Sequence, residues 1–314
     1  MRYAAKILGL LLAASAAFVS HEARTAGPSA APRQVTPSAT SHGFASVYGD
    51  VSPDQAEFLS TADAIRSAAA SGAPTLVWEV LEHGEKVECL DCIAAVSPLL
   101  YDANPKTREI AAWWLRRRIL GVFGPGQVYE QTIDTLNNTN GDPIMRSYAA
   151  NALGEFFAAP GVTACANVLM NNSDDPRVRA ACASALGRMN SDGGGALAVG
   201  FTAADKTIKL ASLASAVRVN AFSGVAGLTA LTGDGDADVR RRAVEALDGL
   251  RVVDSVAAVA GLVRTDGDAG VRAAACHALG SFGDASTRTV LQNAAQTDTD
   301  TFVRDQAQIA LRRL

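Results

Sequence analysis

The sequence has few aromatic residues, few histidines and no excess of basic side chains. Aromatic residues make up 6% of the 314 residues, although hydrophobic residues of all kinds make up 48%. The 28 basic and 32 acidic residues leave a net charge of −4. Proteins that bind nucleic acid need a broad positive field that displaces counterions, so the charge balance argues against such a partner. An apolar content dominated by Ala, Val and Leu favours closely packed helices instead.

The sequence also lacks the usual patterns of an active site. It contains no glycine-rich phosphate loop, no nucleophile elbow and no pair of carboxylates at a catalytic spacing. Two of the four histidines, His83 and His277, lie in the folded region, and neither belongs to a metal-binding pattern. We therefore predict no catalytic, cofactor or metal site, and a protein that is not an enzyme.

Residues 1–22 have the pattern of a signal peptide. Arg2 and Lys6 provide positive charge before an apolar run that extends from Ile7 to Val19 and ends at a polar Ser-His-Glu sequence. A spanning helix needs roughly 20 apolar residues, so this run fits a cleaved signal better than an anchor. We expect a periplasmic or secreted protein with no membrane span after the leader is removed.

Two further segments precede the region of clear repetition. Residues 23–50 are rich in Ala, Pro and Ser, a composition that buries too little apolar surface to fold, and they are predicted to form a disordered linker. Residues 51–101 are predicted to form a divergent helical cap, with helices over Thr75–His83 and Cys92–Tyr101 and another within Asp54–Ala70.

A short motif recurs seven times from Asn104 onward. An acid, or Asn in the first copy, is followed four residues later by a base, and successive bases are 38, 33, 30, 31, 32 and 32 residues apart. Two copies are looser, Asn104 with Arg108 and Asp205 with Lys209. The five full copies are Asp142 with Arg146, Asp175 with Arg179, Asp236 with Arg240, Asp268 with Arg272, and Asp300 with Arg304.

Each element of the motif has a physical role in a helical hairpin. Asp and Asn are preferred N-caps, because their side chains accept hydrogen bonds from otherwise unpaired amides. Proline follows the cap in three copies, where its missing N–H costs nothing. Gly154, Gly187 and Gly280 end an Ala-Leu-Gly sequence and are predicted to be left-handed C-caps. A second helix then completes each unit.

The Asp-Pro-x-Val-Arg and Ala-Leu-Gly pattern resembles the HEAT repeat over residues 102–314, in particular the short form associated with phycobilisome lyases. The ankyrin and tetratricopeptide signatures are missing. The resemblance implies an all-α solenoid, a right-handed superhelix of stacked helical hairpins of the HEAT or armadillo type. It also implies a protein–protein interaction scaffold or adaptor. The alternative, by analogy with the lyases, is a lyase- or chaperone-like enzyme that acts on a cofactor-bearing protein.

Three groups of residues are candidates for specific roles. The recurring Asp and Arg residues form a structural ladder, in which each Arg pairs with a capping acid, rather than a binding site for an acidic ligand. Cys89 and Cys92 are candidates for a disulfide in an oxidising compartment, with free thiols or a metal or redox site as alternatives. Trp113, Trp114 and Arg117 form a candidate interface patch. Adjacent helical positions diverge by about 100°, so only one of these tryptophans can face the core fully.

Overall fold

A computed structural model describes residues 57–118 and 126–314, and this part of the chain contains helices and no strand. Short 3-10 turns extend several of the helices, as at Ser97–Tyr101 after the third one. The α-helices are α1 (Ala62–Ser71), α2 (Pro74–His83), α3 (Leu90–Val96), α4 (Pro105–Arg116), α5 (Gln127–Asn137), α6 (Pro143–Phe156), α7 (Ala159–Met170), α8 (Pro176–Arg188), α9 (Ala196–Phe201), α10 (Lys206–Ala216), α11 (Val225–Ala230), α12 (Ala237–Gly249), α13 (Val256–Thr265), α14 (Ala269–Phe282), α15 (Arg288–Thr297) and α16 (Thr301–Leu311).

These helices stack in two rows. The even-numbered helices pack each against the next and form the first-helix row, and the odd-numbered helices form the second-helix row behind it. Each even-numbered helix from α4 onward starts at a copy of the motif, so the repeat assignment and the all-α solenoid are confirmed. Helices α1 to α3 lie where the cap was predicted, and α2 packs against α4 in the first-helix row.

The predicted N-caps are present, and they explain where the first helices begin. The side chain of Asn104 and of each motif Asp accepts a hydrogen bond from a backbone N–H in the first turn of its helix. Proline occupies the first position of α4, α6 and α8, as predicted. The start of each repeat is therefore determined locally, by the acid and the residues that follow it.

The prediction of glycine C-caps is wrong. Gly154, Gly187 and Gly280 lie inside α6, α8 and α14, and the left-handed residues that follow two of these helices are Phe157 and Gly283. The motif glycines instead allow neighbouring first helices to approach closely. A Cβ on Gly280 would lie 2.7 Å from the Cα of Ala310 in α16, and the same contact recurs at the other two glycines.

The buried side chains form two clusters. Six apolar positions of the repeat are fully buried: Val178, Leu186, Val239, Leu247, Val271 and Leu279. One cluster runs from Leu59 to Val219 and the other from Phe201 to Ala310, and Phe222 packs against both. The division falls where α9 and α10 meet.

Three predictions concern residues that the structure does not describe. The signal peptide (residues 1–22) and the linker (residues 23–50) lie outside the described residues, as do the first six residues of the cap. Among the helices of residues 57–118 and 126–314, none combines the length and the hydropathy needed to cross a bilayer.

Candidate interaction surface

The basic residues of the ladder join one repeat to the next, but not through the capping acids. Arg146 binds Asp174, Arg240 binds Asp266 and Arg272 binds Asp298, and in each pair two guanidinium nitrogens lie 2.7–2.9 Å from the carboxylate oxygens. At the corresponding junction, the ammonium group of Lys209 binds one carboxylate oxygen of Asp234. These acids stand one or two residues before the N-cap, and each accepts a hydrogen bond from the backbone N–H of the capping Asp.

The same guanidinium groups also bind backbone carbonyls in the loop before their own helix or at the end of the helix that precedes this loop. Arg240 donates to the carbonyl of Asp234, and Arg272 donates to that of Asp266. Arg146 donates to the carbonyl of Leu136. Each of these three arginines thus joins the segment before its own helix to the next loop, so its guanidinium group is engaged within the structure and is not free to bind a ligand.

Burial and pairing act in opposite directions on the carboxylates of the ladder. Hydrogen bonds from Arg240 and Arg272 are the main reason that the pKa values of Asp266 and Asp298 lie below their ordinary range. At Asp174 burial alone would raise the pKa, but hydrogen bonds from Arg146 and from the Asp175 N–H outweigh it and lower the pKa. All three acids are therefore charged at neutral pH, and none is poised for proton transfer.

Three motif bases bind no acid of a following loop, and the first of them, Arg108, donates to the carbonyls of Asp102 and Ala103. Arg179 donates to the carbonyl of Leu169 and to the side chain of Asn172 in its own loop, because Ala203 stands where other loops carry the acid. Arg304 likewise donates to the carbonyls of Asp298 and Thr299. The acids that stand before the N-caps were not predicted as partners of the motif bases. The sequence nevertheless shows the Asp-x-Asp spacing that Asp234, Asp266 and Asp298 form with their caps.

The predicted interface patch is largely part of the core. Trp114 is fully buried and donates its indole N–H to the carbonyl of Gly84 at 3.0 Å, so it was wrongly included among the interface residues. Trp113 is half-buried against the core, and Arg117 forms an ion pair with Glu85. Arg118 stacks on Trp114 and is itself buried. This patch therefore offers no exposed aromatic anchor.

Cys89 and Cys92 form a disulfide at the start of α3. Cys92 is fully buried, whereas Cys89 is half-buried and lines a cavity of about 260 Å³. The other cysteines, Cys165, Cys182 and Cys276, are buried free thiols. Within the described residues no three His, Cys, Asp or Glu side chains are arranged to hold a metal ion.

Two adjoining grooves with apolar floors lie on the first-helix row. One, of about 560 Å³, runs between α10 and α12 and is lined by Leu210, Leu213, Ala214, Val217 and Ala246 with a charged rim. The other, of about 340 Å³, crosses α12, α14 and the start of α16 over small residues. Glu245 lines both, so together they form one surface, which we call the α10–α16 groove.

The α10–α16 groove carries exposed apolar side chains between paired charges. Phe302 is 59% exposed at one end and Val217 is 45% exposed at the other. Glu245 on the rim binds Arg241 and Arg242 of its own helix. A third groove, of about 350 Å³ between α4, α6 and α8, is lined about equally by polar and apolar surface, and it holds Arg188 against Asn151. The apolar floor thus distinguishes the α10–α16 groove from the rest of this row.

Comparison with known proteins agrees with this architecture. Residues 225–312 match the family model for HEAT repeats, and this part of the chain is built of them. A comparison with curated protein sequences finds no match.

Solved structures of similar fold include YibA of E. coli, at 15% identity and a TM-score of 0.54, over 83% of this chain and 95% of that one. Another is the structure of Kap95p bound to RanGDP, at 13% identity and a TM-score of 0.56, over 81% of this chain and 40% of that one. At these identities the likeness is one of fold alone.

Proposed function

We propose that this array of HEAT repeats is a non-enzymatic scaffold that binds another protein through the α10–α16 groove. The observation that carries the proposal is the continuous apolar floor shared by four first helices, with Phe302 and Val217 exposed at its ends. Exposed apolar surface that is contiguous and rimmed by polar residues is typical of interaction sites. The solenoid supports such a role because its repeats present an extended surface.

The shape and charge of the groove indicate the kind of segment that it fits. Its floor consists mostly of Ala, Leu and Val, which leaves room for apolar side chains of the partner. Its rim carries both signs of charge, with Arg218 and Arg242 beside Glu245 on one side and Asp248 beside His277 on the other. An amphipathic helix of the partner, with an apolar stripe and mixed charges along its edges, satisfies both requirements.

In the described part of the chain, the second-helix row offers no comparable apolar surface. A groove near the second-helix row, beside α13 and α15, is lined by Asp266, Arg272 and Asp298, which are already occupied with each other. We therefore assign binding to the first-helix row, because its apolar floor has no partner within the described chain.

We further propose that the protein acts in the cell envelope or outside the cell. The leader pattern of residues 1–22 supports export. The disulfide between Cys89 and Cys92 supports it as well, because disulfides persist mainly in oxidising compartments. N-terminal sequencing of native protein tests this address, and a mature chain that begins at Met1 would contradict it.

The test of the groove compares two identical substitutions. Ala214→Glu places a charge on the floor of the α10–α16 groove, and Ala257→Glu places one at an exposed position of α13 in the second-helix row. We expect affinity capture from the native cell envelope to lose its bound protein with Ala214→Glu and with Phe302→Glu, and to keep it with Ala257→Glu. Circular dichroism and thermal unfolding verify that the variants are folded.

Two results would overturn the proposal. Equal capture by all three variants would show that the groove is not the binding surface. Turnover of a cofactor-bearing protein by the purified chain would favour the lyase- or chaperone-like enzyme.

A further inference from the structure

The two sulfur atoms of the Cys89–Cys92 disulfide differ in how solvent reaches them. Cys89 is half-buried beside a cavity, and the neighbouring Leu90 is 65% exposed, whereas Cys92 is fully buried. A thiol that approaches from solvent therefore meets the sulfur of Cys89 first. The buried sulfur of Cys92 then becomes the leaving group.

The contacts of Cys89 suit a sulfur that carries negative charge. The guanidinium of Arg66 donates to the Cys89 sulfur from 3.6 Å, and the backbone N–H of Cys92 donates to the same atom from 3.1 Å. A cation and an N–H donor both stabilise a thiolate, which is the reactive form of cysteine. These groups would hold the charge that appears on Cys89 when a second thiolate releases it from the mixed disulfide.

The segment that precedes Cys89 is held in place independently of the disulfide. Arg118 donates hydrogen bonds to the carbonyls of Glu85 and Val87, and Arg117 pairs with the side chain of Glu85. Opening the disulfide therefore leaves the preceding segment anchored. The bridge spans only three positions of the chain, and short loops gain the least from cross-linking, so stabilisation of the fold is a poor reason for its presence.

We propose that Cys89–Cys92 is a thiol–disulfide exchange site whose substrate is the thiol group of a small molecule or of another polypeptide. The incoming thiolate bonds to the sulfur of Cys89, and the electron pair of the broken bond leaves with Cys92, which takes up a proton. A second thiolate then attacks the mixed disulfide and releases Cys89. Two thiols are thereby oxidised to one disulfide, and the protein disulfide is reduced to two thiols.

The experiment uses the whole chain in buffers of reduced and oxidised glutathione, followed by acid quenching, alkylation and mass spectrometry. We expect Cys89 and Cys92 to become labelled together as the share of reduced glutathione rises, while circular dichroism is unchanged. A disulfide that stays intact at every glutathione ratio under native conditions would overturn the proposal. A parallel reaction with a reduced two-cysteine peptide tells a polypeptide substrate from a small one, since faster oxidation of the peptide identifies the polypeptide.

Paired variants identify the attacked sulfur. Cys92→Ser should accumulate a glutathione adduct on Cys89, whereas Cys89→Ser should leave Cys92 unmodified. Arg66→Ala in the Cys92→Ser background should slow formation of the adduct severalfold. An adduct on Cys92 at the rate seen for Cys89 would contradict the assigned direction of attack. This site is independent of the α10–α16 groove, so the two proposals fail separately.

Discussion

Arg146 and Asp174 form a two-point ion pair in which both side chains are only 3% exposed. The pair links the start of α6 to the loop before α8, and the acid also accepts the backbone N–H of Asp175. Removing one partner of a buried pair leaves an uncompensated charge, which is more costly than the pair is stabilising.

Replacement of the buried acid should therefore destabilise the protein strongly. We expect Asp174→Ala to lower the free energy of unfolding by about 3 kcal/mol, measured by urea denaturation. The matched control is Asp238→Ala, because the carboxylate of Asp238 is exposed beside Lys206, and it should cost far less stability than Asp174→Ala. The double variant Arg146→Met with Asp174→Leu should recover most of the loss. Equal losses of free energy of unfolding for Asp174→Ala and Asp238→Ala would show that the buried ion pair contributes no more to stability than an exposed one.

The ladder should also make stability depend on acid pH. The folded-state pKa values of Asp266 and Asp298 lie below the ordinary value because Arg240 and Arg272 bind them. In the unfolded chain these carboxyls take up protons near pH 3.9. The ionised carboxylates therefore contribute fully to the free energy of unfolding above about pH 5. This contribution is lost as the pH falls through their lower folded-state pKa values.

Neutral substitutions test this assignment of the acid transition. We expect Asp266→Asn to cost about 2 kcal/mol at pH 7, the value of a hydrogen bond to a charged group. In denaturation experiments, the difference in free energy of unfolding between this variant and the unmodified protein should become smaller as the pH falls from 5 to 2. If the difference in free energy of unfolding stayed constant from pH 5 to pH 2, the interaction with Arg240 would not depend on the charge of the Asp266 carboxylate.

The motif glycines should be intolerant of a methyl group for reasons of packing. A Cβ on Gly280 would overlap the backbone of Ala310 in the neighbouring first helix, so Gly280→Ala should cost about 1–3 kcal/mol by forcing the helices apart. Gly261 in α13 has no atom near the position of a Cβ, and Gly261→Ala should stabilise the protein by up to about 1 kcal/mol. Thermal unfolding distinguishes the two, and a gain in both would refute the close-approach account.

The buried thiols should not react in the folded protein. Burial raises the pKa of the Cys276 thiol to about 12, with a further rise from Asp298, and burial also raises the pKa of Cys182. Alkylation at pH 8 without denaturant should leave Cys165, Cys182 and Cys276 unlabelled, and denaturant should expose all three. Rapid labelling of any of them under native conditions would show that the packing around it opens readily.

The sequence was sufficient for features that depend on residues close together in the chain. The start of each first helix follows from a capping Asp and the turn after it, so all seven starts were predicted correctly. The partner of Arg240 was not predicted, because it depends on how the loop before α14 lies against α12. The same limit applies to Gly280, which looks like a helix end in sequence and proves to be a contact between helices.

The candidate site was predicted less well than the fold, for a related reason. The adjacent Trp113 and Trp114 suggested an interface patch. Which tryptophan is buried, however, depends on how α4 packs on Gly84. The α10–α16 groove is formed by alanines and leucines that look like ordinary core residues in sequence. Which of them stay uncovered is decided by the spacing of neighbouring first helices, and no single motif records that spacing.

The junction after Arg179 has a consequence for how the molecule opens. From Arg146 to Arg272, every motif base apart from Arg179 binds an acid of the next loop. The corresponding position after Arg179 is Ala203, and Arg179 stays within its own loop. The division between the two clusters of buried side chains falls at the same place. An array of repeats should open first at a junction that lacks an ion pair. The segments on either side of α9 should therefore exchange amide hydrogens as two separate cooperative units.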